Sequence, residues 1–235
     1  MSINKELDLL NKKVVHSLTK FTSLDYTNKL SCIVWFKSCN MRCLYCYNDD
    51  LVFAKEGNYS LNDVLSFLKT RLGLLDGVVL SGGEATLHEL EFFCKKIKAL
   101  GFLIKLDTNG LNSNLVKSLV QKELIDYIAL DFKAPKYKFY EITKSYKYED
   151  FLATLEYLIK IDFDFEVRTT IHADLINLFD LNSMIYLLKS KNYKKNYYLQ
   201  SFLATKSNIA NIKESSKTID KKRVLRRGLN IYWRD

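Results

Sequence analysis

Proline and glycine are nearly missing from this sequence. The 235 residues include 1 proline and 8 glycines, where average usage would give about 12 and about 16. Collagen-like chains and proline-rich linkers are excluded. Long apolar runs are missing too. The longest unbroken ones are five residues, Cys32–Phe36 among them, against the roughly 18 that a membrane helix needs. Residues 1–25 hold no apolar run of signal-peptide type. The chain reads as soluble and cytoplasmic. Five cysteines, an odd number without a secretion signal, argue against a disulfide framework.

What is present is enough for a core. The apolar fraction is 48%, which excludes a disordered chain. The length suits one large domain with a small extension. The division expected is a core over residues 1–205 and a basic C-terminal extension over 206–235. The net charge of +9 is localised. Residues 191–235 hold 12 Lys/Arg and 3 Asp/Glu, a surplus of 9, while residues 1–190 hold 24 of each. Such a tail suits nucleic acid, an acidic protein surface, or plain solvation.

Strand-like and helix-like patterns alternate along the chain. Strands are expected at Cys32–Phe36, Gly77–Leu80, Leu103–Leu106, Tyr127–Leu130, Phe163–Ile171 and Tyr197–Phe202. Helices are expected between them. Ser60 with Asp63 is a capping signal for a helix to about Leu72. Leu90, Phe93, Ile97 and Leu100 have helical spacing within 87–100, and Gly101 follows as a stop. Further helices are expected at 114–124, 148–161, 178–190 and, in the basic tail, 216–227. Six strands alternating with helices define an α/β chain with a parallel sheet covered by helices.

The chemistry begins at Cys39, Cys43 and Cys46, spaced CxxxCxxC. Structural zinc commonly takes two separated CxxC pairs, and no second pair exists here. Ferredoxin-type cubanes take four cysteines. Three would leave one iron open to a substrate. A zinc knuckle is the competing reading. Cys32, inside an apolar strand, and Cys94, beside Phe92 and Phe93, read as buried thiols.

CxxxCxxC with Tyr45 before the last cysteine resembles the signature of radical S-adenosylmethionine enzymes. More of that family's pattern follows in order: Ser81-Gly82-Gly83-Glu84, Asp107-Thr108-Asn109-Gly110, Asp131-Phe132-Lys133-Ala134-Pro135 and Arg168-Thr169-Thr170, each at a strand or its end. In parallel α/β folds sites are built on the C-terminal strand edge. Singly, each cluster also has a plain structural reading: a tight turn at Gly82-Gly83, a helix-start carboxylate at Glu84, a turn at Asn109-Gly110 and an ion pair between Asp131 and Lys133. The ordered set, over about 22–202, is similar to the glycyl-radical-enzyme activating branch, and within it to activating proteins of anaerobic ribonucleoside-triphosphate reductase. The fold this implies is a partial (β/α)6 barrel of parallel strands.

The resemblance also implies roles. Cys39, Cys43 and Cys46 would hold a [4Fe-4S] cluster whose open iron chelates S-adenosylmethionine. Tyr45 and Tyr47 would face the adenine. Gly82 and Gly83 would admit the methionine part, and Glu84 would order its ammonium. Asp131, Lys133 and Arg168 would contact the cofactor, with His172 a lesser candidate. Asp107, Thr108 and Asp131 match a monovalent-cation site, and Asn109 beside them is a further expected cofactor-binding residue. The expected partners are a glycyl radical enzyme, anaerobic ribonucleotide reductase first, and an outside electron donor such as flavodoxin or ferredoxin. Neither a membrane nor a nucleic acid is an expected partner. Ser38, Tyr47, Ala85 and Thr27-Asn28 depart from the family's usual residues. The rival readings are activation of pyruvate formate-lyase, a small-molecule or nucleic-acid enzyme of deazapurine-synthase type, and an iron–sulfur scaffold or redox sensor without enzymatic activity.

Overall fold

The computed structural model describes residues 8–205 and 207–234. Eight strands are present: β1 (Val15–Thr22), β2 (Ser31–Phe36), β3 (Gly77–Gly82), β4 (Leu103–Thr108), β5 (Tyr127–Asp131), β6 (Phe165–Ile171), β7 (Asn196–Ser201) and β8 (Asn230–Arg234). The helices are α1 (Asp49–Phe53), α2 (Leu61–Lys69), α3 (Leu90–Ala99), α4 (Ser113–Gln121), α5 (Lys136–Thr143), α6 (Tyr148–Lys160) and α7 (Leu178–Ser190). The strands stand in chain order in an open sheet. β2, β3 and β4 pair in parallel, as do β6, β7 and β8, while β1 is antiparallel to β2. The expected α/β architecture with a largely parallel sheet is therefore present. No helix among the described residues is long and apolar enough to cross a membrane.

The chain forms two compact units. The first takes the chain up to Asn40, Asp50–Thr108 and Asn114–Ile128; the second takes Met41–Asp49, Asn109–Ser113 and the chain from Ala129 on. In the first, Tyr26, Ile33 and Val79 bury together against Trp35, Leu103 and Tyr127. On the other face Phe36 meets Phe93 of α3 edge-on at 6.3 Å. In the second, Phe132 stacks on Phe151 of α6 at 4.8 Å and Phe165 packs on Tyr193 at 5.3 Å. Strands buried on both faces need near-continuous apolar runs, and Ile128-Ala129-Leu130 is such a run with every side chain buried.

Helix starts follow local chemistry. Ser60 and Asp63 form a reciprocal capping box on α2, and Asn177 and Asp180 do the same on α7, satisfying N–H groups that a first turn leaves open.

Three expectations change. Strand β1 was not anticipated; its alternation of small and polar residues (Val15 to Thr22) is weak, and it is pinned by long-range pairing and by Trp35 Nε1 donating to Thr19 Oγ1 at 2.9 Å. The expected helix at 87–100 splits into a 3-10 turn, Ala85–Leu87, and α3. The basic helix at 216–227 does not form. Only the 3-10 turn Lys221–Arg223 occurs there, and Val224 alone of those twelve residues is buried. A helix without an apolar face has nothing to hold it. The chain instead turns at Gly228 (φ 78°) and adds β8 beside β7, where the Arg234 guanidinium lies 3.5 Å from the Tyr198 ring centre.

Replacing the α7 cap, Asn177→Ala, removes one side of a capping box and should cost about 1 kcal/mol in denaturant unfolding; an unchanged midpoint would show that the box carries no weight.

Candidate functional site

In the first unit the chain leaves β2 through Lys37 and Ser38 and reaches Cys39. Ser38 adopts a left-handed backbone, φ 65°, a conformation that favours glycine. Its N–H donates to Leu51 O at 2.8 Å, and its carbonyl accepts the Glu84 N–H at 2.8 Å. The Gly83 N–H donates to Phe36 O at 2.9 Å. The two glycines are required by this approach. A Cβ on Gly83 would overlap the Ser38 carbonyl, and one on Gly82, at φ 117°, would overlap the Phe36 backbone. A side chain at 82 would meet the end of β2, and one at 83 the start of the cysteine loop.

Glu84 is buried and its Oε1 accepts from Thr86 N (3.1 Å), Thr86 Oγ1 (2.6 Å) and Thr108 Oγ1 (2.8 Å). It caps the 3-10 turn that follows, so the helix-start reading of this carboxylate holds in the structure. Asp107 accepts from Ser81 Oγ at 3.2 Å and pairs with Lys105 Nζ at 2.9 Å. Lys105 also donates to Asp25 O at 2.6 Å and is almost fully buried. The sequence reading missed Lys105. Its signal was a lysine inside the apolar strand Leu103-Ile104-Lys105-Leu106, two residues from Asp107 and so on the same face.

The second unit holds the rest of the cysteine segment. The Arg42 N–H donates to Thr143 O at 2.8 Å and the Leu44 N–H to Ile142 O at 3.0 Å, both at the end of α5. The Cys46 N–H closes a turn on Cys43 O at 3.0 Å. Tyr45 is buried and its hydroxyl lies 3.5 Å from Lys133 O; burial pushes that hydroxyl well above the usual tyrosine range. Tyr47 is half exposed.

Asp131 ends β5 and is bracketed by two cations: Lys133 Nζ reaches Oδ2 and Arg168 Nε reaches Oδ1, each at 3.1 Å. Burial is the largest single influence on Lys133 and would lower its pKa, but the Asp131 carboxylate together with Tyr45 and Cys43 outweighs it and holds the ammonium well above its ordinary value. The backbone enforces this triad. Phe132 N donates to Arg168 O at 2.8 Å, and Thr169 Oγ1 donates to Phe132 O at 2.7 Å. Asn109 is a turn residue: its side chain accepts the Leu111 N–H at 3.0 Å, and the following Gly110 sits at φ 75° with its carbonyl bonded by Thr154. His172 donates from Nε2 to Lys213 O at 2.9 Å.

The donor chemistry fits an iron–sulfur cluster at the triplet. Cys43 is buried and Cys39 and Cys46 are half-buried on one short segment. Burial pushes the Cys32 and Cys94 thiols up to about 12, which leaves both as unreactive core groups. No three His, Cys, Asp or Glu among the described residues are gathered closely enough for a single metal ion.

The Radical SAM superfamily domain matches residues 33–177, more than half of the chain, and the chain belongs to that superfamily. Membership brings S-adenosylmethionine and, by family, a [4Fe-4S] cluster. A Methanocaldococcus jannaschii protein provisionally named a glycyl-radical enzyme activating enzyme is 30% identical over 135 residues, 57% of this chain and 55% of that one. The 7-carboxy-7-deazaguanine synthase of Neisseria meningitidis serogroup B is 35% identical over 97 residues, 41% of this chain and 40% of that enzyme. The pyruvate formate-lyase-activating enzyme of Streptococcus mutans serotype c is 29% identical over 162 residues, 63% and 61% of the two chains. The matched part thus spans between two fifths and three fifths of each relative's length. Among solved structures, Streptococcus suis SuiB bound to S-adenosylmethionine superposes with a TM-score of 0.67 at 13% identity, covering 84% of this chain and 48% of that one. That likeness is one of fold.

Two substitutions probe the geometry. Gly83→Ala must displace the Ser38 carbonyl and should cost about 1–3 kcal/mol. Lys105→Met takes the cation from the half-buried Asp107 carboxylate and should cost about 3 kcal/mol in denaturant unfolding, with the double variant Lys105→Met/Asp107→Asn recovering part of it. A single variant as stable as the parent would show that the pair carries no structural weight.

Proposed function

We propose that this protein is a cytoplasmic radical S-adenosylmethionine activase that generates a glycyl radical on a partner enzyme, anaerobic ribonucleoside-triphosphate reductase. The observation that carries the reading is similarity to two activating enzymes, in a chain whose matched superfamily domain, residues 33–177, holds CxxxCxxC, Gly82-Gly83-Glu84 and Asp131-Phe132-Lys133. In this reading residues 1–205 are the catalytic core and 206–235 the extension.

Cys39, Cys43 and Cys46 are the proposed cluster ligands, leaving one iron for the cofactor. Held there, a reduced cluster would supply the one electron for reductive cleavage of S-adenosylmethionine, the source of the radical that would take a hydrogen from a glycine Cα. This chain's own groups bind and orient. Asp131, Lys133 and Arg168 form a fixed acid between two cations, suited to the amino and carboxylate ends of an amino acid. Tyr45, buried beside the Lys133 backbone, and Tyr47 line the proposed adenine side. Gly82, Gly83 and Glu84 shape the turn against the loop that carries Cys39. Asp107, Thr108 and Asn109 support the β4 edge. A monovalent cation is not needed to neutralise either carboxylate, because Lys105 pairs with Asp107, and Lys133 and Arg168 with Asp131. The electron comes from an outside donor of flavodoxin or ferredoxin type.

The 35% identity to a deazaguanine synthase favours a second reading, a radical enzyme acting on a small molecule.

The test is anaerobic: iron and sulfide reconstitution, reductant, S-adenosylmethionine and the same organism's anaerobic ribonucleotide reductase in one tube. The expected result is a glycyl doublet by electron paramagnetic resonance together with 5′-deoxyadenosine, both abolished by Cys46→Ala. 5′-Deoxyadenosine without the doublet would transfer the case to the second reading. Neither product under strong reduction would sink both and revive the scaffold reading.

A further inference from the structure

The start of the C-terminal extension does more than continue the chain. Asn208 is buried, and its side chain closes a turn on Ile212, accepting the Ile212 N–H and donating to the Ile212 carbonyl, each at 2.8 Å. Asn211 N–H adds a bond to Asn208 O at 3.0 Å. This turn presents two backbone donors. The Ile209 N–H reaches Cys46 O at 2.9 Å, and the Ala210 N–H reaches Leu44 O at 3.2 Å. The opposite side of the same loop is held by α5, through Leu44 N–H to Ile142 O. The peptide between Cys43 and Cys46 is therefore gripped from both sides.

The segment is anchored at each end. Ser207 Oγ donates to Asp49 Oδ2 at 2.7 Å. Beyond the turn, Lys213 O accepts from His172, and the Asp174 carboxylate accepts Ser216 N–H at 2.8 Å and Ser216 Oγ at 2.9 Å. Neither the Ser207–Asp49 bond nor the Ser216–Asp174 bonds involve a residue that the family pattern marks.

We infer that residues 207–213 are a strap that fixes the Cys43–Cys46 turn, with Asn208 as its positioning residue. The inference rests on the reading that Cys43 and Cys46 bind the cluster. Its physical basis is orientation. An irregular loop has no ladder of its own to hold its carbonyls. Without the strap, Leu44 O and Cys46 O lose their donors, the turn gains freedom, and Cys46 no longer holds one direction. Groups that orient metal ligands from outside commonly matter by 10–100-fold in metal affinity.

The test uses the reconstituted holoprotein. An iron chelator is added, bleaching of the cluster's visible absorption is timed, and the electron paramagnetic resonance spectrum of the reduced cluster is recorded with S-adenosylmethionine. Asn208→Ala should bleach about 10-fold faster and alter the spectrum. Ala210→Pro, which deletes one donor and leaves the Asn208 turn, should move both readouts the same way and serves where Asn208→Ala fails to fold. Asn177→Ala, at the exposed cap of α7, controls for general loss of stability and should bleach as the parent does. Parental bleaching and spectra in both strap variants would overturn the strap, and so would equal bleaching in Asn177→Ala. If the parent itself takes up no cluster, the functional reading fails first, and the strap falls with it.

Discussion

The structure depends on how one irregular segment satisfies its backbone. Residues 37–48 carry the three cysteines and form neither helix nor strand. Buried peptide groups without partners are costly. In the first unit Ser38 is tied to Leu51 and to the Gly82-Gly83-Glu84 turn; in the second, Arg42 and Leu44 are tied to the end of α5, and Leu44 and Cys46 to residues 209–210. Each partner element has to be where it is for these bonds to form. The glycines at 82 and 83, the left-handed Ser38 and the Asn208 turn are consequences of that one requirement.

Charge follows the same economy. Carboxylates wholly or partly withdrawn from water persist only when paired or hydrogen-bonded. Asp107 has Lys105, Asp131 has Lys133 and Arg168, Glu84 has two threonine hydroxyls and a backbone N–H. The arrangement at Asp131 is rigid because β5 and β6 bond directly around it. The two bystander cysteines show the contrast. Burial in apolar surroundings leaves Cys32 and Cys94 as packing groups.

The alternation of elements was legible because fully buried strands are apolar throughout and their helices carry an apolar stripe. Cys32–Phe36, Tyr127–Leu130 and the Ser60 and Asn177 regions show this. β1 and β8 were not legible as strands. Their residues are mixed, and what makes them strands is a neighbour to pair with. The basic segment 216–227 looked helical by composition, yet it has no face to bury and stays irregular apart from one 3-10 turn.

The sequence by itself determined the chemistry available: three thiols at CxxxCxxC spacing, a glycine pair, and acids and bases placed at strand ends. Those are properties of residue type and short-range order, which spacing carries. Only the tertiary structure decided what each group touches. It set Gly82 against the end of β2 and Gly83 against the cysteine loop, gave Asp107 a lysine, made Asn109 a turn residue, and brought Asn208 and its neighbours against Cys46, more than 160 positions away. Such contacts join residues whose sequence separation has no pattern, and they exist only once strands and helices have packed.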